Sequence, residues 1–177
     1  MPEFDFSAYD PAGKTAIFNV PIRGALIPRE REAGDPEPEP GAKPELVEGQ
    51  PFLVMKHAGD SNRPYMNGVA RSTAKMARGR RKAPTAEQIT ARVKEDRDQD
   101  RELFPEFVIV GWGNMPTAGT REPAAFSRAA CRDFCTKVPD WIFDRMRAFA
   151  GNPVNFVDDD KADLVLEEQD VADVSGN

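Results

Sequence analysis

The sequence predicts an α+β fold: a small N-terminal β-hairpin or a few short strands, followed by a mainly helical domain of about four helices. Three observations carry this prediction. Before residue 60 the apolar residues come in short runs broken by Pro and Gly, which is the pattern of strands and turns. From Ser61 onward they recur at three- and four-residue spacing, which is the pattern of helices. The large aromatics Phe104, Phe107, Trp112, Phe126, Phe134, Trp141, Phe143, Phe149 and Phe156 all lie in the C-terminal half. A large apolar side chain contributes roughly 1.5–3 kcal/mol when buried, so that half is expected to carry most of the stability.

The elements follow in order. Residues 4–27 contain "DPAGK" and "VPIRG", which read as turns, and "TAIFNV", which reads as a strand. Residues 28–51 are rich in Pro and Glu and have no apolar period, so they are expected to form a linker or surface excursion. "FLVMKH" (Phe52–His57) reads as a second strand able to pair with the first. Asn62 or Ser61 should cap a first helix, with Pro64 in its first turn and Met66, Val69, Thr73 and Met76 along one side. The region of Gly79 is expected to end it. Thr85 and Gln88 form a capping box for a second helix, whose apolar side begins with Ile89 and Val93 and resumes at Leu103, Phe104, Phe107 and Val108. Pro105 should interrupt its ladder, and "GWGNMPTAGT" should be a loop. Ser127 caps a third helix and Pro139 opens a fourth, which Gly151, Asn152 and Pro153 end.

The expected organisation is therefore 1–27 as a strand region, 28–51 as the excursion, 52–157 as the mainly helical core domain and 158–177 as an acidic flexible tail. A chain of 177 residues and 19.6 kDa suits one domain. A mean hydropathy of -0.58 and the lack of any run of about 18 apolar residues argue against a membrane span. "PEFDFSAYD" after Met1 does not read as a signal peptide. Two cysteines give no disulfide framework, which points to an intracellular home.

The net charge of -6 argues against a generic nucleic-acid binder, yet its distribution is uneven. Residues 1–50 carry five bases and ten acids, residues 51–157 eighteen and twelve, and residues 158–177 one and eight. Within the basic middle, His57–Lys82 has seven bases and no acid after Asp60. Arg71, Lys75, Arg78 and Lys82 recur at helical spacing roughly opposite the apolar side. This stretch reads as a solvated face, a protein contact or a grip on nucleic-acid phosphates, and composition alone leaves all three open.

Reactive chemistry finds little support. A structural zinc site needs four ligands, and His57, Cys131 and Cys135 are the only imidazole and thiol groups. Cys131 and Cys135, four apart on a helix, read as packing residues. Ser61 and Asp60 beside His57 lack the Gly-x-Ser-x-Gly order of a nucleophile elbow, and they read as a turn and helix cap. "GDSNRPYMNG" lacks the spacing of a phosphate loop. No catalytic, cofactor-binding or metal-ligating residue is nominated, and no cofactor is expected.

The order of landmarks resembles the tail assembly chaperones of long-tailed bacteriophages. The resemblance rests on "VPIRG" (Val20–Gly24) after an early strand, and on Gly59, Asp60, Ser61 and Tyr65 at the turn into a helix. It continues through Gly111–Trp112, the helix start at Phe126–Ser127, "VPDWIFDRM", and Asn155–Phe156, covering roughly residues 17–156. The long excursion between the first two strands, Arg23 where the family usually has Thr, and the charged insert before Phe104 depart from its pattern. The resemblance implies a protein with no enzyme activity that binds the tape-measure protein in the host cytoplasm before the tail tube polymerises. It also implies a family that often makes a longer frameshifted product, with the acidic tail where that switch would fall. A long helical client is expected to meet helices of this chain through Tyr65, Met66, Met76, Trp112, Trp141 and Phe143, with Arg71, Lys75 and Arg78 on the basic face. Core packing is the competing reading for each apolar candidate. Alternatives are a connector or tail-completion protein retained in the virion, another phage structural protein as partner, self-association, and an accessory nucleic-acid binder using residues 63–82.

Overall fold

The computed structural model describes residues 10–30, 43–76 and 85–157. Residues 4–9, the interior of the Pro/Glu-rich excursion, Arg78 with the expected helix end at Gly79, and the acidic tail 158–177 lie outside them. The architecture is α+β, with short antiparallel strands in the N-terminal half and four α-helices among the described residues.

"TAIFNV" supplies β1 (Thr15–Asn19) and "FLVMKH" supplies β4 (Phe52–Lys56). They pair antiparallel from Thr15↔Lys56 to Asn19↔Phe52. Alternation decides which face is buried: Phe18 from β1 with Val20 just after it, and Leu53 and Met55 from β4, point inward. Between them β2 (Leu26–Pro28) and β3 (Leu46–Glu48) form a separate two-stranded ribbon. The end of the expected 28–51 excursion is thus paired back onto the residues before it. Gly24 makes this crossing possible, because a Cβ there would lie 1.6 Å from the Gly49 carbonyl oxygen.

Helix α1 (Arg63–Met76) is capped by Asn62, whose Oδ1 accepts from the Tyr65 N–H at 3.3 Å. The same side chain donates through Nδ2 to the Phe107 carbonyl at 2.9 Å, so one residue starts α1 and ties it to the end of the next helix. Helix α2 (Ala86–Leu103) begins with the full Thr85–Gln88 capping box. Pro105 brings no N–H to the helical ladder, and the chain widens to a π-turn over Phe104–Val108, closed by Ile109 N–H donating to Phe104 O.

The expected loop at "GWGNMPTAGT" needs correction: its first three residues belong to β5 (Ile109–Gly113), which pairs antiparallel with β4 and completes a sheet of order β1-β4-β5. A lone apolar run of five residues behind a helix reads as more helix until a partner strand claims it, and here that partner lies more than fifty residues upstream. Because β1, β4 and β5 form one sheet whose buried side chains join those of the helices in one core, the strand region and the helical region share that core.

Helix α3 (Arg128–Lys137) starts at Ser127, whose Oγ accepts from Ala130 N–H at 3.1 Å. Helix α4 (Asp140–Gly151) follows directly after Pro139. The chain then closes over the sheet through a 3-10 turn (Pro153–Phe156), with Phe156 against His57 and Phe149. Phe104, Val108, Ile109, Phe143 and Met146 form the centre with Leu53 and Met55.

Candidate functional site: the α2–α4 face

Helices α2 and α4 are held together by a lattice of charges. Arg97 donates Nε and Nη2 to the two carboxylate oxygens of Asp144, at 2.8 and 2.7 Å, in a fork-to-fork pair. Its remaining Nη1 reaches Asp140 at 2.9 Å. One turn on, Arg101 donates to the other Asp140 oxygen at 2.7 Å, to the Val138 carbonyl at 2.9 Å and to the Cys135 carbonyl. Its guanidinium also lies 4.5 Å from the centre of the Phe143 ring. Arg147 binds Asp100 at 2.6 Å, and the Tyr65 hydroxyl donates to the other Asp100 oxygen at 2.8 Å.

These contacts set the ionisation of the cluster. The hydrogen bond from Arg101, then the nearby positive charges, hold the Asp140 carboxyl below its usual range. The bond to Asp144 pushes the Arg97 guanidinium up. Burial, then the Asp100 charge, drives the Tyr65 phenol well above its ordinary value, so it stays a donor. The chemistry is that of a clasp, with each carboxylate answered by a guanidinium.

Val93, Tyr65, Phe104, Ala148 and the Asp100–Arg147 pair line a cavity of about 460 Å3 between α2 and α4. Val93 is 50 % exposed and Ile89, one turn earlier, 52 %. Trp141, beside Asp140 on α4, is 55 % exposed. Ile89 and Val93, which begin the apolar side of α2, are thus open to solvent, and the buried residue of the helix is Asp100. On α4, Trp141 stands open.

The nominated partner-binding residues separate sharply. Phe143 is fully buried beneath Arg101 and against Phe104, and Tyr65 is buried with its hydroxyl spent on Asp100, so both are core residues. Their apolar spacing alone does not distinguish a contact face from a core face. Met66 is half-buried against the core. Trp112 stands on β5, half-buried, its Nε1 donating to Ala124 O at 2.8 Å and its ring edge-on to Phe126. Trp141 is the one nominated apolar residue with a described side chain that is mainly open to solvent. Arg71 is exposed on α1, Lys75 and Met76 lie in its last turn with side chains outside the described set, and Arg78 lies outside it altogether.

The sequence reading missed Arg97, Arg101, Asp140 and Asp144. A signal was present: a basic pair and an acidic pair, each four residues apart, on two separate helical segments.

Other chemistry is sparse. His57 Nδ1 lies 2.6 Å from Ser61 Oγ, yet among the described residues no carboxylate bonds the ring to orient it as a base. The Cys135 thiol is pushed up by its hydrogen bond with Cys131 and by burial, which makes it a poor nucleophile. Among the described residues no three His, Cys, Asp or Glu side chains gather as a metal site, and no helix is long and apolar enough to cross a membrane. Comparison with protein-family models, curated proteins and solved structures finds no match for this chain.

Proposed function

We propose that the protein is a non-enzymatic tail assembly chaperone of a long-tailed bacteriophage, which binds helical segments of the tape-measure protein during tail morphogenesis. The order of sequence landmarks from Val20 to Phe156 suggests the family. The observation that carries the binding mode is the exposure of Ile89 and Val93 on α2 and of Trp141 on α4, two helices joined by the Arg97 clasp. Large apolar side chains held open on a rigid pair of helices suit an amphipathic client helix laid along them, with its apolar side covered until the tail tube encloses it. Pre-organisation by Arg97 reduces the ordering entropy lost on binding.

The test is co-purification from infected cells through a tag on the full chain. A very long helical polypeptide should come down with it, and replacing Val93 and Trp141 with Asp should abolish the capture. Mature particles should lack the protein. Its stoichiometric presence in purified tails would favour a connector or tail-completion role instead.

A further inference from the structure

Helix α1 carries Arg63, Asn67, Arg71 and Lys75 at four-residue intervals, a single row along its length, and has no acidic residue. Arg63 and Arg71 are exposed, and among the described residues neither forms an ion pair. Arg71 also lines a groove of about 510 Å3 between α1 and α2, beside Gly68, Gln99, Leu103 and the exposed Glu102, which forms no ion pair with it. By contrast, Arg97, Arg101, Arg121, Arg132 and Arg147 are all matched with carboxylates. Arg63 and Arg71 thus give α1 positive charge without an ion-pair partner among the described residues.

We infer that this row is the docking surface for the chain's own acidic segment, residues 158–177. Two facts select that occupant. The first is charge: the segment has eight acids and one base. The second is where the described chain leaves off. Phe156 packs against His57 with ring centres 5.6 Å apart, and His57 is hydrogen-bonded to Ser61, two residues before α1 begins. The described chain therefore ends, at Val157, beside the N-terminal end of the row. Asp158, Asp159 and Asp160 come first, where the N-terminal dipole of α1 and Arg63 favour negative charge. The fourteen residues of α1 extend about 21 Å, and twenty residues of extended chain reach roughly 66 Å, so the segment can follow the whole row to Lys75. Covering the row in this way screens it from nucleic-acid phosphates and other polyanions in the cell. The contact involves α1 and is separate from the α2–α4 face assigned to the client.

The experiment places a spin label on the full chain at Ser175→Cys, where the buried Cys131 and Cys135 do not compete for it, and reads paramagnetic broadening of backbone amides. Amides of Arg63–Met76 should broaden by about twofold or more relative to α3 at low ionic strength, and recover in about 0.5 M salt. Combined Arg63→Gln, Arg71→Gln and Lys75→Gln should abolish the effect while far-ultraviolet circular dichroism stays unchanged. Equal broadening of α1 and α3, or broadening of α1 that persists at high salt, overturns the inference. So does broadening seen only when label and isotope are on different chains, which would make the contact one between copies. If the labelled segment leaves α1 untouched and a short oligonucleotide shifts those amides, the row is a nucleic-acid face and the inference also falls.

Discussion

Arg97 grips Asp144 through two parallel hydrogen bonds across forty-seven residues of sequence, and with its third nitrogen it holds Asp140. A planar fork meeting a carboxylate edge is a geometry that lysine cannot reproduce. Arg97→Lys should therefore lower the urea midpoint nearly as much as Arg97→Ala does, although it preserves the charge. Parallel unfolding curves for the two variants check this. A lysine variant with the parent midpoint would mean that charge alone joins α2 to α4.

Acid should loosen the same clasp. The folded Asp140 carboxyl lies below its unfolded value, chiefly through the bond from Arg101. Such a group stabilises the fold at pH above the ordinary carboxylate range, and its contribution disappears as pH falls through the folded value. The unfolding midpoint should lose this contribution below about pH 4, and Asp140→Asn should flatten that part of the profile. Denaturant titrations from neutral pH downward give the comparison.

Burial separates the nominated aromatics by the kind of damage their removal does. Phe143→Ala should cost about 3–5 kcal/mol, because the ring is fully buried and leaves a cavity. Tyr65→Phe should cost about 1–3 kcal/mol, since a buried carboxylate loses one hydrogen bond while Arg147 remains. Urea unfolding with an unchanged m-value measures both.

Trp141→Ala should behave in the opposite way. Its side chain is mostly open to solvent, so stability should stay within about 0.5 kcal/mol of the parent. Capture of the tape-measure protein should nonetheless fall about tenfold or more if the residue is an anchor of the client interface. Equilibrium unfolding and pull-down on the same preparation separate the two effects.

Gly24→Ala tests the crossing of the β2–β3 ribbon. A methyl group there meets the Gly49 carbonyl oxygen, which is backbone and has no rotamer to yield. A cost of about 1–3 kcal/mol is expected, with the largest loss of hydrogen-exchange protection at the amides of Ala25 and Gly49.

Local chemistry was legible without coordinates because its causes lie within a few residues. Thr85 and Gln88 cap each other across three residues, Ser127 caps α3 by accepting from the Ala130 N–H, and Pro139 both ends α3 and admits α4. Short apolar runs bounded by Pro and Gly turns identified two strands in "TAIFNV" and "FLVMKH", and the structure pairs them. The choice between core packing and exposure for each apolar candidate was not legible, because its cause is distant. Phe143 and Trp141 are two residues apart on one helix, yet one is enclosed and the other open. Helical spacing shows that they differ in direction without showing which direction leads to the core.

By itself, the sequence determined the fold class, the helix starts at Thr85, Ser127 and Pro139, the first strand pair, and the segregation of charge into acidic ends and a basic middle. The tertiary structure decided the third strand at Ile109–Gly113, the π-turn that leads into it, the clasp joining Arg97 and Arg101 to Asp140 and Asp144, and the exposure of Ile89, Val93 and Trp141. Caps, turns and periodicity act over three or four residues and leave their mark in the local pattern. Strand partners, ion pairs and burial join residues tens of positions apart, and their free energies exist only once the chain has brought those residues together.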